Sequence, residues 1–165
     1  MLNGDLDAAV ILQPPFAIPK ACAWLMLGEE PFIVLTPASL RARDPHGVLA
    51  SEPFIRLDRA AWTGRMVDRY LRQTGIRPRE RFELDALENV AVMVDRGLGV
   101  SLVPDWAPPW PEGLSIRKMP LPGRGIRRHV GVIWTRASVR LRLVNAFLKE
   151  ATAVLKVNKV RQRTQ

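Results

Sequence analysis

Cysteine is almost missing from this chain. Cys22 is the single one in 165 residues, so no internal disulfide framework can form. Histidine is nearly as scarce: His46 and His129 stand far apart with no second ligand-type residue at metal spacing, and no metal site is expected. No apolar run approaches the ~18 residues of a membrane span. The opening segment carries Asp5 and Asp7 without a basic start, so it does not read as a secretory signal. The cytoplasm is the expected compartment, with no membrane contact.

Catalytic patterns are equally sparse. Ser101 lies inside an apolar strand with no nucleophile elbow around it, and Gly123 and Gly125 form a turn that no helix follows, so they do not cradle a phosphate. Nothing adjacent to Cys22 would activate its thiol. No enzyme activity and no cofactor are expected.

What the chain has in excess is positive charge, +9 with a pI near 10.9. Such a balance attracts nucleic acid through counterion release. Here the charge gathers around a Pro/Gly turn (Arg117, Lys118, Arg124, Arg127, Arg128) and in a polar tail over residues 158–165, preceded by Lys156. Aromatic residues do not interleave with either cluster, and no helix-turn-helix, zinc-finger or RNP pattern appears. Solvated surface charge is the simpler reading.

The apolar residues, 47% of the chain, suffice for a buried core. Leu6 to Ile11 reads as a strand, Gln13 to Pro19 as a proline-rich loop, and Phe32 to Leu35 as a second strand ending at Thr36-Pro37. Arg41 to Ala50 reads as a polar loop and marks a boundary. A regular alternation follows: strand Phe54 to Leu57, helix Ala60 to Thr74, strand Arg81 to Leu84, helix Ala86 to Arg96, strand Leu98 to Val103. Trp62, Met66 and Tyr70 share one face of the first helix, and Asp85 with Glu88 spells a capping box for the second. Short connections of this kind build parallel crossovers. Ala107 to Pro111 reads as a stiff extended connection. Leu114 to Met119 and His129 to Thr135 read as strands, and Ser138 caps a final helix with Leu141, Val144, Leu148, Ala151 and Leu155 on one stripe.

Ligands of open parallel sheets bind beyond the carboxyl ends of the strands. That edge would be built by Asp58 and Arg59 after one strand and Asp85 and Ala86 after the next. Arg59 could clamp a carboxylate, whereas Asp85 suits a hydroxyl or amine. Taken singly, both aspartates read better as helix caps and Arg59 as a surface cation; their joint placement is what raises the binding reading.

Several motifs in order resemble the effector-binding region of LysR-type transcriptional regulators. Gly4-Asp5-Leu6-Asp7-Ala8-Ala9-Val10 is similar to the family's "G-x-LD-x-A" strand, Glu30 to Pro37 to its crossover strand, and Gly97-Leu98-Gly99-Val100 with Val103-Pro104 to its "GLGVALLP" stretch. The resemblance implies an α/β fold of the type 2 periplasmic-binding-protein kind: two lobes, the second doubly wound and the first incomplete. It places residues 1–40 and 120–157 in the first lobe and 41–119 in the second. By position, an effector such as a small organic acid would contact Gln13, Pro14, Thr36, Asp58, Arg59, Asp85 and Ala86 in the interlobe cleft. DNA would be read only through an N-terminal domain absent from this sequence, and the partner would be a second copy or a full-length relative. The alternatives are a solute-binding protein of the same fold and a decayed or partner-dependent fragment.

Overall fold

The computed structural model describes residues 6–106 and 110–162, with side chains through 154. The chain divides into two compact units, Met1–Glu29 with Arg128–Gln165 (unit 1) and Glu30–Arg127 (unit 2). The elements are β1 (Ala8–Leu12), β2 (Cys22–Pro37), α1 (Pro45–Ser51), β3 (Pro53–Leu57), α2 (Trp62–Thr74), β4 (Arg79–Leu84), α3 (Leu87–Asp95), β5 (Ser101–Pro104), β6 (Ile116–Pro120), β7 (Arg127–Thr135) and α4 (Leu141–Gln162).

Three expectations need correction. The second strand is four times longer than its apolar run suggests: β2 covers 16 residues. Its first half, Cys22 to Leu27, is apolar but only partly buried, and Gly28-Glu29-Glu30-Pro31 cuts it off from the Phe32 to Leu35 run; the strand passes from one unit to the other at this interruption. Residues 41–50 are not all loop. Asp44 accepts hydrogen bonds from the N–H groups of His46 (3.0 Å) and Gly47 (2.9 Å), and Pro45 sits in the first turn, so the supposed turn residues start α1. His46 then anchors the helix to α2 through Tyr70 (Nε2 to OH 2.7 Å). Finally, Asp85 and Glu88 do not form a capping box. The cap residue of α3 is Ala86, without a side-chain hydrogen bond.

The final helix also runs on to Gln162, through much of the expected polar tail. The side chains of Lys156, Lys159 and Arg161, and residues 163–165, lie outside the described residues, as do Ala107 to Pro109 and residues 1–5.

Unit 2 is built on strands that share one core. β3 and β4 are parallel, from Pro53↔Arg79 to Leu57↔Leu84. A bridge between Phe54 and Val100 brings β5 alongside β3. β5 in turn pairs antiparallel with β2, which carries β6 on its other side. Phe32, Val34, Leu35, Leu49, Phe54, Ile55, Val90 and Leu102 are at most 2% exposed, a continuous core beneath α2 and α3. Ser101 donates its hydroxyl to the Ile55 carbonyl (2.6 Å), so this buried side chain joins strands.

In unit 1, β1 pairs antiparallel with β7, from Ala8↔Trp134 to Leu12↔Val130, and β7 lies between β1 and β2. Asp7, just ahead of β1, accepts from Ser138 Oγ (3.0 Å) and Arg140 Nη1 (3.1 Å) ahead of α4. The Arg140 guanidinium, and next the Ser138 hydroxyl, hold the Asp7 carboxyl below its ordinary range. A depressed carboxylate contributes stability above its unfolded pKa and loses it as pH falls through the folded value. Arg140→Ala should therefore raise the Asp7 pKa in a carboxyl NMR titration; an unmoved midpoint would refute this cause.

Candidate functional site

The parallel register sets Leu57 beside Leu84, so the chain leaves β3 and β4 at one edge of unit 2. The Asp58 N–H donates to the Leu84 carbonyl (2.8 Å), which ties the two exits together. Asp58, Arg59, Asp85 and Ala86 thus share this edge, and both helices begin there. Neither Ala61 at the start of α2 nor Ala86 at the start of α3 supplies a side-chain cap. The positive ends of two helix dipoles thus lie at this edge without a carboxylate or hydroxyl cap from Ala61 or Ala86.

Each predicted side chain has a distinct setting. Asp58 Oδ1 accepts from the Ala60 N–H (2.8 Å), closing the turn before α2. Arg59 is exposed but engaged: its guanidinium pairs with Glu80 and reaches Glu83 (3.4 Å), and its N–H donates to Glu83 Oε1 (3.0 Å). Asp85 is exposed and makes no hydrogen bond or ion pair with the described residues. Glycine at position 64 lets α2 start this close to the edge, because a Cβ there would lie 2.0 Å from the Asp58 carbonyl oxygen.

Thr36 is placed elsewhere. β2 runs against β5 with Phe32 opposite Pro104 and Leu35 opposite Ser101. Thr36 therefore lies past the beginning of β5, at the opposite edge from Asp58 and Asp85. It pairs with Arg117, and its hydroxyl is sealed from solvent without a partner among the described residues. Gln13 and Pro14 belong to unit 1, just past β1. The Gln13 N–H donates to the His129 carbonyl (2.8 Å), and its Oε1 lies 2.9 Å from His129 Nδ1, whose ring also meets Glu29 (3.2 Å).

The edge has further members that the sequence reading passed over. Asp105 leaves β5 with its N–H on the Pro31 carbonyl (2.7 Å) and its carboxylate on Lys118 Nζ (2.7 Å). The same ammonium sits 3.8 Å from the centre of the Trp110 ring, which stacks on Trp106 at 3.6 Å. Asp105 directly follows Pro104, a strand-end position like Asp58 and Asp85, and that parity was the available signal. The proline-rich surroundings masked it.

Comparison with known proteins agrees with this architecture. The family described as the LysR substrate binding domain matches residues 1–156. Among solved structures, the regulatory domain of CcmR from Synechocystis PCC6803, in complex with 2-PG, superposes with a TM-score of 0.75 at 20% identity, covering 94% of this chain and 76% of that one. The C-terminal domain of a probable LysR family transcriptional regulator from Rhodococcus sp. RHA1 gives 0.73 at 22% identity, covering 92% and 76%. A reduced form of OxyR from N. meningitidis gives 0.69 at 22%, covering 92% and 72%. No curated protein matches. The family is a regulator's binding domain and not an enzyme class, its fold is the periplasmic-binding-protein-like α/β arrangement, and this chain belongs to it: a LysR substrate-binding domain.

Proposed function

We propose that this chain senses a small molecule on behalf of a LysR-type transcriptional regulator, with the ligand held at the strand-end edge of unit 2. The observation that carries the proposal is the convergence of two helices without side-chain caps at the exits of β3 and β4. The positive dipole ends of both helices suit a carboxylate or similar anionic oxygen, while the unengaged Asp85 suits a hydroxyl or amine on the same molecule. A small organic acid with a second polar group fits both. Arg59 contributes only by leaving Glu80 or Glu83, so it tunes the site and does not clamp the ligand on its own.

A ligand that binds only the folded chain raises its melting temperature. A thermal-shift screen of organic acids, amino acids and sugars should therefore yield a stabilising compound. For such a hit, Asp85→Ala should weaken binding roughly tenfold, the loss of about one charged hydrogen bond, with the melt of the free protein unchanged. A hit whose affinity survives both Asp85→Ala and Arg59→Ala would move the site away from this edge.

A further inference from the structure

Two arginines of unit 2 are withdrawn from water, Arg56 fully and Arg117 in part, and they are compensated differently. Arg56 meets two carboxylates, those of Asp68 and Glu80. Arg117, within β6, meets none among the described residues. Its Nη2 donates to the Ala42 carbonyl and lies 3.3 Å from Met119 Sδ, both neutral partners, and its Nε is sealed from solvent with no acceptor. A guanidinium removed from water ordinarily has a counter-charge. The loop that supplies the carbonyl adds positive charge instead. Arg41 and Arg43 flank Ala42, and the acid that follows, Asp44, is taken up by the start of α1.

Thr36 stands directly across from Arg117. β2 and β6 pair antiparallel with Thr36 opposite Arg117 and Val34 opposite Met119. Opposed residues of such a ladder project from the same face, with Cβ atoms about 5 Å apart. Thr36 is fully buried, and its hydroxyl has no partner among the described residues. Two donors, one of them charged, thus share a face without bonding each other. Val34, the next residue of β2 on this face, offers no acceptor. Buried polar groups are ordinarily satisfied by protein, water or an ion. What this pair lacks is an acceptor, and the uncompensated charge selects an anion over a water.

We propose that Thr36 and Arg117 hold a monovalent anion of halide size, chloride in ordinary solution, between β2 and β6. The Thr36 hydroxyl and the Arg117 Nε–H each donate one hydrogen bond to it, and its charge neutralises the guanidinium. The site lies at the edge of unit 2 opposite the exits of β3 and β4, so it is separate from the proposed effector site and stands or falls independently of it.

The test follows thermal melting of the full chain as gluconate is replaced by chloride at constant ionic strength. Binding to the folded state alone should raise the melting temperature saturably, by roughly 3–6 °C once chloride exceeds its dissociation constant about tenfold. Thr36→Val and Arg117→Met should each abolish the rise, and comparison with them in the same salts removes any general salt effect. Should either variant fail to fold, wild-type crystals soaked in bromide decide the matter, because anomalous scattering should place the ion between Thr36 Oγ1 and Arg117 Nε. A chloride response that survives in Thr36→Val, bromide found only elsewhere, or a wild type indifferent to chloride would each overturn the proposal. In the last case the sign of Thr36→Val identifies what replaces it: destabilisation means that water bridges the two groups, and stabilisation that the hydroxyl is buried without compensation.

Discussion

Replacing Gly99 by alanine is expected to destabilise unit 2 by about 2–5 kcal/mol, combining a disfavoured backbone conformation with overpacking. Gly99 has φ +159°, and a Cβ there would stand 2.4 Å from the Pro53 carbonyl oxygen and 3.2 Å from Ile55 Cγ1. That carbonyl cannot retreat freely. It accepts the Val100 N–H at 2.8 Å, and Val100 in turn accepts from Ile55 at 2.8 Å, the two bonds that fasten β5 to β3. A methyl group at position 99 therefore pushes apart the strands whose ends form the candidate edge. Gly97 supplies the control. Its φ of +73° is left-handed, but nothing lies within 4 Å of an added Cβ. Gly97→Ala should cost only the conformational penalty, about 1–2 kcal/mol. Urea unfolding of both variants distinguishes the cases, and equal losses would show that the approach to Pro53 is not what demands glycine at 99.

The second large effect centres on Arg56. It is the one fully buried cation among the described residues, 3% exposed within β3, and its guanidinium pairs with Asp68 of α2 and Glu80 of β4. Glu80 also holds Arg59, so a buried strand residue is connected to the site edge through one carboxylate. Arg56→Ala removes the charge that both acids face and opens a cavity. Breaking such a buried pair costs about 3–5 kcal/mol. The lower end applies here, because Glu80 is partly solvated and its share is screened. Arg56→Met combined with Asp68→Leu should recover much of that loss, since an apolar set of similar volume no longer desolvates a charge. If the double variant is no more stable than Arg56→Ala, the ion pairs do more than offset their own burial.

How far the sequence carried this picture can be judged element by element. α2 was legible because Trp62, Met66 and Tyr70 recur at helical spacing and Gly75 stops the helix in the left-handed conformation, φ +71°. The strand after Gly97 was legible because Val100 to Val103 is a buried run that Pro104 ends, although Leu98 is exposed and the strand begins only at Ser101. α1 was not, since seven residues carry too little periodicity and its cap, Asp44-Pro45, is equally good turn chemistry. β2 was half legible for a similar reason. The run inside unit 2 was found, whereas Cys22 to Leu27, equally apolar, is separated from it by Gly28-Glu29-Glu30-Pro31 and is only partly buried.

The site divides the same way. Strand exits are local, so Asp58, Arg59, Asp85 and Ala86 could be grouped from the order of elements alone. Whether Thr36 joins them depends on the direction in which β2 meets β5, a pairing between segments some seventy residues apart that no local pattern encodes. The capture of Arg59 by Glu80 and Glu83 is also tertiary. It became visible only once β4 lay parallel to β3.

The threading of β2 through both units has a consequence for how the chain is made. Unit 2 is one uninterrupted stretch, Glu30–Arg127, whereas unit 1 closes only when β1 meets β7 at the other end of the sequence. On the ribosome, Ala8–Leu12 must wait for its β7 partner until residue 135 emerges, while Glu30–Arg127 can already collapse. Once it has done so, the effective loop between the two ends shrinks from more than a hundred flexible residues to a folded body that holds the strand stubs at fixed positions, and the entropy of closure falls accordingly. Early maturation of the central stretch thus templates the outer one. A lesion that slows the centre, Gly99→Ala among them, would lengthen the time for which that apolar strand lacks β7 and stays prone to aggregation.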